Sequence, residues 1–378
     1  MQKINNVIIL RDGLSDNVQY DITMSEGTVV AIDKSTTEIK EPMYATGGYI
    51  DIHTHGGLGH DFFECTQEAA DSVGAFHLQN GTTSFCATSV ATPLAELDVQ
   101  CAKIRGLKQN YSTMLGLHLE GPFISVKKKG AQPECNIRAE YTTEDAKFFE
   151  DNADILKIVT MCPHTKNAVD LVAKLDSLHI IAHAGHDDSI YPEIIDCVSA
   201  GLTGATHIYC ASSGLNRRAG DITKYMGLNE TALASNKIFT EVIADGQHIS
   251  RELFLYIYNN KGFRNMCVVS DSLSAAGMPK GTYVLGEDIA IYNNGEVVLL
   301  ADKSALAGSI TPLAKMVQNM VSYGVPIAEA VYMANQAPAS HLKMPKLGKI
   351  GEGLVADIVL IDNFGSLKAV YKAGSRVN

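Results

Sequence analysis

Two histidines lie one residue apart at the end of a short apolar run, in the segment YIDIHTHG at residues 49–56. The residues before them are typical of a strand, in which side chains alternate between two faces. His53 and His55 would then point to the same side, and two imidazoles on one face suit a transition metal. A pair of ordinary polar histidines at a strand end is the alternative, and this segment alone does not choose between the two.

Ionisable side chains also follow most of the other short apolar runs. They are Glu120 in LHLEGPF, His183 and His186 in IIAHAGHDDS, His207 in GATHIY, His248 in VIADGQHIS and Asp271 in VVSDS. Each alone has a simpler explanation, since a lone strand-end histidine is often structural and an Asp after a strand often caps a helix. Several histidines and two carboxylates at successive strand ends are instead typical of a metal-dependent hydrolase. The set predicts a metal site, although no single member does.

The order of elements explains how these residues would meet. The predicted strands are 49–53, 82–87, 114–119, 155–161, 179–184, 202–206, 238–243 and 266–270. The predicted helices between and after them are 66–79, 93–109, 142–151, 166–176, 188–199, 222–234, 250–262 and 311–323. Because parallel strands need helical crossovers, this alternation predicts a (β/α)8 TIM barrel of the α/β class. Such barrels carry their catalytic residues at the carboxyl ends of the strands.

Both ends of the chain and one late segment lack helical periodicity. Residues 1–45 and 343–378 read as strands punctuated by glycine, and they predict a small β-sandwich formed from both termini. Residues 46–342 would then be the metal-dependent catalytic barrel. Residues 282–302 predict a hairpin before the last helix, with Asn294-Gly295 as its turn.

Composition limits the class of partner. The 378 residues are 46% hydrophobic, so a large core is expected. The formal net charge is −11, so neither nucleic acid nor an anionic membrane is an expected partner. No apolar run is long enough for a membrane span or a signal peptide, which favours a cytoplasmic protein. The eight cysteines are scattered without a C-x-x-C pair, and we expect them to be reduced and mostly buried.

The motifs around the ionisable residues resemble those of a known family. GGYIDIHTHGG, GLHLEGPFI, KKKGAQP, AGHDDS, GATHIY, VIADGQHIS, VVSDSLSAAGMPKGTY and LAGS resemble the amidohydrolase superfamily, and within it the N-acetylglucosamine-6-phosphate deacetylases. The resemblance covers nearly the whole chain. It implies an enzyme that hydrolyses the acetamide of an N-acetyl amino sugar phosphate, most simply N-acetylglucosamine 6-phosphate, to acetate and the amino sugar phosphate.

The resemblance also implies a set of metal ligands. Glu120 would bind the metal together with His186 and His207. Some members of the family lack the pair corresponding to His53 and His55 and hold one metal, whereas others keep it and hold two. This chain keeps it, so one or two divalent ions are expected, with Glu120 as the bridge. Zinc, iron, manganese and cobalt all suit these ligands.

Other residues would act on the substrate. By resemblance, Asp271 is the catalytic aspartate, which accepts the proton of the attacking water and returns it to the departing amine, and it could also touch the second metal. His248 would hydrogen-bond the sugar or the acyl carbonyl. A homodimer is implied by resemblance alone, because dimers of the family place a neighbour's residues near the substrate.

The substrate end departs from the family pattern. Cys210 and Ala211 stand, with the serine after them, where the family usually has a short Asn-Ala-Met stretch that helps hold the phosphate, and Gln132 stands where some relatives have a substrate-contacting histidine. Arg218 is the candidate for the phosphate arginine, with an exposed loop arginine as the alternative. These departures leave the epimer open, N-acetylgalactosamine 6-phosphate included, as well as the need for the phosphate.

Two other functions are possible for a barrel of this kind. Another amidohydrolase, acting on a cyclic amide or an N-acyl amino acid, is disfavoured by HLEGPF and Arg218. A non-catalytic barrel that serves as an assembly subunit would be expected to have lost its ligands, whereas Glu120, His186, His207 and Asp271 are all present.

Overall fold

The computed structural model describes residues 1–109, 113–286 and 288–377, and it contains a parallel barrel and a second sheet built from both chain ends. The strands are β1 (Gln2–Ile9), β2 (Gln19–Ser25), β3 (Thr28–Lys34), β4 (Tyr44–Gly47), β5 (Tyr49–Thr54), β6 (Gly56–Gly57), β7 (His60–Asp61), β8 (Thr82–Ser89), β9 (Met114–Glu120), β10 (Leu156–Met161), β11 (Ile181–Ala184), β12 (Leu202–Ala205), β13 (Phe239–Val242), β14 (Met266–Val268), β15 (Gly281–Leu285), β16 (Ile289–Asn293), β17 (Val298–Leu300), β18 (Ile358–Ile361), β19 (Leu367–Lys372) and β20 (Ser375–Arg376). The α-helices are α1 (Gln67–Gln79), α2 (Leu94–Lys108), α3 (Ala146–Asn152), α4 (Ala168–Ser177), α5 (Tyr191–Ala200), α6 (Leu228–Ala234), α7 (Arg251–Lys261), α8 (Leu313–Ser322), α9 (Ile327–Ala334) and α10 (Gln336–His341).

The barrel consists of eight parallel strands in the order β5-β8-β9-β10-β11-β12-β13-β14. It closes just beyond β14, where the backbone N–H of Asp271 donates to the His53 carbonyl at 3.0 Å and that of His55 donates to the Ser272 carbonyl at 2.9 Å. The predicted TIM barrel is confirmed. Its closure brings the first and last strand ends together at the same mouth.

The outer helices bury one apolar stripe each. In α4, Ala168, Leu171, Val172 and Leu175 are all buried, and their spacing is that of a single helical face. The stripe packs onto the barrel strands and screens their outer face from water, which is why that face is apolar. Among the described residues, no helix is long and apolar enough to cross a membrane.

One predicted helix is shorter than expected. The sequence predicts a helix over 222–234, but α6 begins only at Leu228. The backbone of Asn216 pairs with that of Tyr225 at 3.0 and 2.8 Å, which holds the preceding segment in an irregular loop. The Glu230 carboxylate then accepts the Gly227 N–H at 3.0 Å, so the helix start is capped at this point.

The second sheet takes strands from both ends of the chain. Its order is β20-β19-β18-β4-β1-β2-β3, so N-terminal and C-terminal strands meet through β4. Ile4, Val7 and Ile9 pack with Ile358 and Leu360 in a core of their own, separate from that of the barrel. The predicted β-sandwich from both termini is thereby confirmed, whereas the exact domain boundaries remain a prediction, and Asn378 lies outside the described residues.

The late β segment forms a small sheet of three antiparallel strands rather than a simple hairpin. Asn294-Gly295 makes the turn between β16 and β17, where Gly295 has a φ of +93°. Residue 287, within the predicted segment 282–302, lies outside the described residues. Leu285, at the end of β15, lines the cavity at the mouth of the barrel, so the insertion forms part of the wall of that cavity.

Candidate active site

The carboxyl ends of the barrel strands surround a cavity of about 400 Å³. The predicted site residues that line it are His55, Glu120, Gln132, His186, His207, Cys210, Ala211, His248 and Asp271. His53 does not line the cavity but lies at its floor, in contact with Glu120 and Asp271. Arg218 is not part of the lining. The structure therefore brings together all the predicted side chains except Arg218 and His183, and His183 lies in the barrel interior against Glu241.

The Glu120 carboxylate, at the end of β9, is at the centre of the site. Its Oε1 lies 3.0 Å from Nε2 of His186 and 2.8 Å from Nε2 of His207. The same oxygen lies 3.4 Å from Nε2 of His53, and Oε2 lies 3.6 Å from Nε2 of His55. Burial alone would raise the pKa of Glu120, but the imidazoles, with His186 and His53 the strongest, lower the pKa well below its usual value.

Asp271 faces the other histidine pair. Its Oδ1 lies 3.1 Å from Nε2 of His55 and 3.6 Å from Nε2 of His53. Burial tends to raise the pKa of Asp271, but the hydrogen bond from His55 and the nearby imidazoles outweigh it and lower the pKa. The side chains of His53, His55 and Asp271 are close enough to share one ion, as are those of His53, Glu120 and His207.

These donors suit a divalent metal. Nδ1 of His186 donates to the Lys128 carbonyl at 2.8 Å, and Nδ1 of His207 donates to the Cys210 carbonyl at 3.2 Å. Because a carbonyl only accepts, Nε2 of each neutral ring then presents a lone pair to Glu120. Two acceptors at this distance need a proton or a cation between them. Nε2 of His53 is also buried without a hydrogen-bond partner among the described residues, which further supports a cation at this position.

Three of these side chains are presented by backbone in the left-handed region. The φ angles are +44° at His186, +26° at His207 and +47° at Asp271. A non-glycine residue in this conformation costs on the order of 1–3 kcal/mol, and such residues concentrate at functional sites. Each of the three follows the end of a barrel strand, so the turn directs the side chain inward rather than along the strand.

Two polar side chains complete the wall around the histidines. Nε2 of Gln132 donates to Oε2 of Glu120, and Oε1 of Gln132 accepts the Ala91 N–H at 2.6 Å. Gln132 therefore orients the central carboxylate. Nδ1 of His248 donates to Oδ2 of Asp245 at 2.8 Å, and its ring also lines the cavity. Burial lowers the pKa of His248, but the Asp245 carboxylate more than reverses this and raises it.

The loop after His207 is close to the cavity, and Arg218 is turned away from it. Cys210 and Ala211 both line the cavity, and Cys210 is a free thiol whose pKa is raised by burial. The guanidinium of Arg218 donates to both carboxylate oxygens of Glu193, from Nε at 3.0 Å, and to the Asp188 carbonyl at 3.0 Å. The phosphate role of Arg218 remains a prediction.

Sequence reasoning missed several polar groups below and beside the site. Glu241 and His118 are fully buried in the barrel interior, and Asp245 holds His248. Glu241 is a charged residue within the apolar run IFTEVIA, which is the one local signal that could have drawn attention to it. His118 precedes Glu120 by two residues, on the same face of the strand, but a lone histidine inside a strand has no distinctive pattern.

Comparison with known proteins agrees with this geometry. The chain matches the amidohydrolase family over residues 44–377. The chain belongs to the amidohydrolase family. It is 31% identical to an N-acetylglucosamine-6-phosphate deacetylase of Vibrio furnissii over 343 residues, which are 89% of this chain and 83% of the relative.

Two further relatives of this amidohydrolase align over nearly their whole length. An N-acetylgalactosamine-6-phosphate deacetylase of Escherichia coli O157:H7 is 28% identical over 97% of this chain and 96% of its own. The solved structure of an N-acetylglucosamine-6-phosphate deacetylase from Thermotoga maritima superposes with a TM-score of 0.88 at 28% identity, covering 100% of this chain and 99% of its own. The resemblance to the amidohydrolase superfamily seen in the motifs is confirmed.

We predict that His186→Asn weakens metal binding to this amidohydrolase. Mutation of an outer partner of a metal site typically costs 10–100-fold in affinity, so loss of a ligand should cost at least ~100-fold. The measurement is metal content per protomer after dialysis against a graded chelator. His179→Asn is the matched control, because His179 is exposed and its φ of +60° suits asparagine. Equal metal retention by both variants would contradict the assignment of His186.

Proposed function

We propose that this amidohydrolase removes the acetyl group from an N-acetyl amino sugar phosphate, with N-acetylglucosamine 6-phosphate as the first candidate. The observation that carries the proposal is that Asp271 lines the same cavity as Glu120, His186 and His207. A hydrolysis of this kind needs one group that takes a proton from water and gives one to a leaving amine. The family and the named functions of the relatives support the same reaction.

A divalent metal held by Glu120, His186 and His207, with His53 and His55 available for a second ion, would lower the pKa of water and polarise a carbonyl. Asp271 is the group placed to move the proton. As a carboxylate it accepts the proton of the attacking water, and as the acid it then protonates the amine, because an amide nitrogen leaves poorly without a proton. Its lowered pKa keeps Asp271 in the ionised form before the reaction.

His248 is placed to bind an oxygen of the substrate. Its Nδ1–H is used by Asp245, so Nε2 is the nitrogen available towards the cavity. The raised pKa of His248 favours the protonated ring, which donates from Nε2 to the acyl or a sugar oxygen. Leu273, Leu285 and Leu306 supply apolar surface in the same cavity, where the acetyl methyl can be shielded from water.

The phosphate end has two sets of candidate cations. Lys127 and Lys128 line the cavity, with Nζ of Lys127 held 2.9 Å from Oδ2 of Asp188. Arg218, the candidate from the motif, contacts the same Asp188 through its carbonyl. We propose that both the lysines and Arg218 contribute to the positive field that attracts the phosphate, and that Lys128, which lines the cavity, makes the direct contact.

The galacto epimer is a second candidate substrate. An N-acetylgalactosamine-6-phosphate deacetylase is 28% identical over 97% of this chain, which is similar to the 31% over 89% of the Vibrio N-acetylglucosamine-6-phosphate deacetylase. Cys210, in place of the usual asparagine, changes the surface that would meet the sugar phosphate. Zinc, iron, manganese and cobalt remain equal candidates for the metal. A homodimer remains a prediction from the resemblance, and a cytoplasmic location remains a prediction from the short apolar runs.

Acetate release from the metal-loaded protein tests the proposed function. The panel contains N-acetylglucosamine 6-phosphate, N-acetylgalactosamine 6-phosphate and both unphosphorylated sugars. We expect kcat/KM to be at least tenfold higher for a phosphorylated sugar, because a charge-assisted contact contributes about 1.5–3 kcal/mol. A cyclic amide and an N-acyl amino acid are the counter-substrates, and faster turnover of either would overturn the proposal.

Asp271→Asn should abolish most of the turnover without preventing substrate binding. We expect kcat to fall by about 10²–10⁴-fold, the usual contribution of a positioned acid–base group, with KM changed little. Asp302→Asn, at an exposed position, is the control. Metal content is measured for both variants, so a loss of metal is separated from a loss of proton transfer. A variant with full metal and near-normal kcat would rule out Asp271 as the base.

Lys128→Met should raise KM for the phosphorylated sugar by about 10- to 100-fold, because it removes a charge-assisted contact of about 1.5–3 kcal/mol. Arg218→Met should raise it less, and the neighbouring exposed Arg217→Met should not raise it. Turnover of the unphosphorylated sugars should be the same in all three variants. If Lys128→Met changes both substrate classes equally, the lysine does not act on the phosphate.

A further inference from the structure

A buried carboxylate lies directly beneath the site floor, between two imidazoles. Glu241, in β13, has no exposed surface. Its Oε2 lies 3.2 Å from Nδ1 of His53, and its Oε1 lies 3.2 Å from Nδ1 of His183 in β11. Glu241 does not line the cavity. A group in this position acts on the reaction through the histidines that it holds and not through the substrate.

The contacts continue away from the site towards α10. Nε2 of His183 lies 2.7 Å from Nε2 of His341, the last residue of α10. The ring of His341 stacks on Phe239 with 4.2 Å between centroids. Two ring nitrogens at this distance must share one proton. If Nδ1 of His183 carries its proton towards Glu241 and the Thr206 hydroxyl, which lie 3.2 and 3.4 Å away, its Nε2 is the acceptor and His341 supplies the N–H.

Hydrogen-bond direction also determines which ring nitrogen of His53 is protonated. An ionised carboxylate only accepts hydrogen bonds, so Nδ1 of His53 must carry the proton that it donates to Glu241. Its Nε2 is then left with a lone pair. This nitrogen is buried and has no hydrogen-bond partner in the part of the chain that the structure describes. It faces Oε1 of Glu120 at 3.4 Å and Oδ1 of Asp271 at 3.6 Å. A lone pair directed at two carboxylates is stable when a cation lies between them.

His118, the other imidazole next to His53, does not compete for this carboxylate. Its Nδ1 donates to the Ile52 carbonyl at 2.8 Å, and its Nε2 lies 2.7 Å from the hydroxyl of Thr160. Its ring packs against that of His53 with 4.6 Å between centroids. His118 therefore forms the wall against which His53 rests, whereas Glu241 determines which nitrogen of His53 carries the proton.

We infer that Glu241 is a positioning residue that holds His53 in the Nδ1–H tautomer, so that Nε2 is directed as a ligand towards a second metal ion shared with His55 and Asp271. This inference rests on the proposed metal-dependent function. Carboxylates that accept the second N–H of a metal-binding histidine fix its tautomer and raise its basicity. No residue of the site that lines the cavity performs this task for His53.

The test reads ring protonation and metal binding rather than turnover. The full-length protein is labelled with 15N-histidine, loaded with zinc, and examined by two-bond 15N–1H correlation spectra, with His53→Asn used to assign the signal. In the wild type, Nδ1 of His53 should be protonated. In Glu241→Gln the protonation of Nδ1 should be lost, because a neutral amide can donate as well as accept. Zinc affinity at the His53–His55 position should fall by roughly 10- to 100-fold.

Chelator competition measures the two zinc affinities separately. The ion at Glu120, His186 and His207 should be retained in Glu241→Gln. Thr160→Val is the matched control, since it removes a buried hydroxyl from the same interior and breaks a contact of His118 without touching His53. Glu241→Asp keeps an acceptor-only group and should restore part of the lost affinity.

Several outcomes would overturn the inference. They are a wild-type His53 without a proton on Nδ1, equal zinc affinities in wild type and Glu241→Gln, or an equal loss in Thr160→Val. The wild-type spectrum decides even where a variant fails to fold. If the spectrum and the affinities agree with the inference but no amino sugar is deacetylated, the proposed substrate is wrong and the role of Glu241 stands.

Discussion

The site depends on one buried negative charge. Glu120 is almost fully buried, and an isolated carboxylate in such surroundings would be neutral or strongly destabilising. It can remain ionised because imidazoles from three different parts of the barrel converge on its two oxygens, and these rings carry the proton or bind the cation that balances its charge. This convergence requires the closed barrel, since His53 arrives from the first strand and His186 and His207 follow the fifth and sixth. The architecture and the electrostatics are therefore parts of the same constraint.

The imidazoles are themselves held from outside by groups that only accept. Backbone carbonyls of Lys128 and Cys210 hold His186 and His207, whereas a carboxylate, Glu241, faces His53. These two kinds of partner are not equivalent. A carbonyl fixes the tautomer, and a carboxylate also adds negative charge that makes the ring a stronger donor to a cation. The position at His186 and His207, held by carbonyls, would then differ in metal affinity from the position at His53, held by a carboxylate. The difference would arise although all three rings direct a nitrogen at the same Glu120.

Much of this arrangement is readable from the sequence, for identifiable reasons. The barrel follows from the alternation of apolar strands with amphipathic helices, and the ring of ligands follows from the rule that barrel chemistry lies at strand ends. What the sequence does not reveal depends on contacts between distant segments. Glu241 meets His53 across 188 residues, and His341 meets His183 across 158. The orientation of Arg218 towards Glu193 and the late start of α6 are likewise decided by the packing of an irregular loop, for which periodicity carries no signal.

The strained turns at the strand ends explain why the sequence predicts which residues form the site but not where their side chains point. A regular strand would place His186 or Asp271 on an alternating face, and the left-handed φ angles at these residues redirect them into the cavity. A pattern-based argument can locate such a residue at a strand end but cannot obtain its direction, since the strain is stable only when the surrounding contacts are already in place. Those contacts include the hydrogen bond of the Asp271 N–H to the His53 carbonyl. The bond that closes the barrel is therefore also the bond that positions the proposed base against the paired histidines.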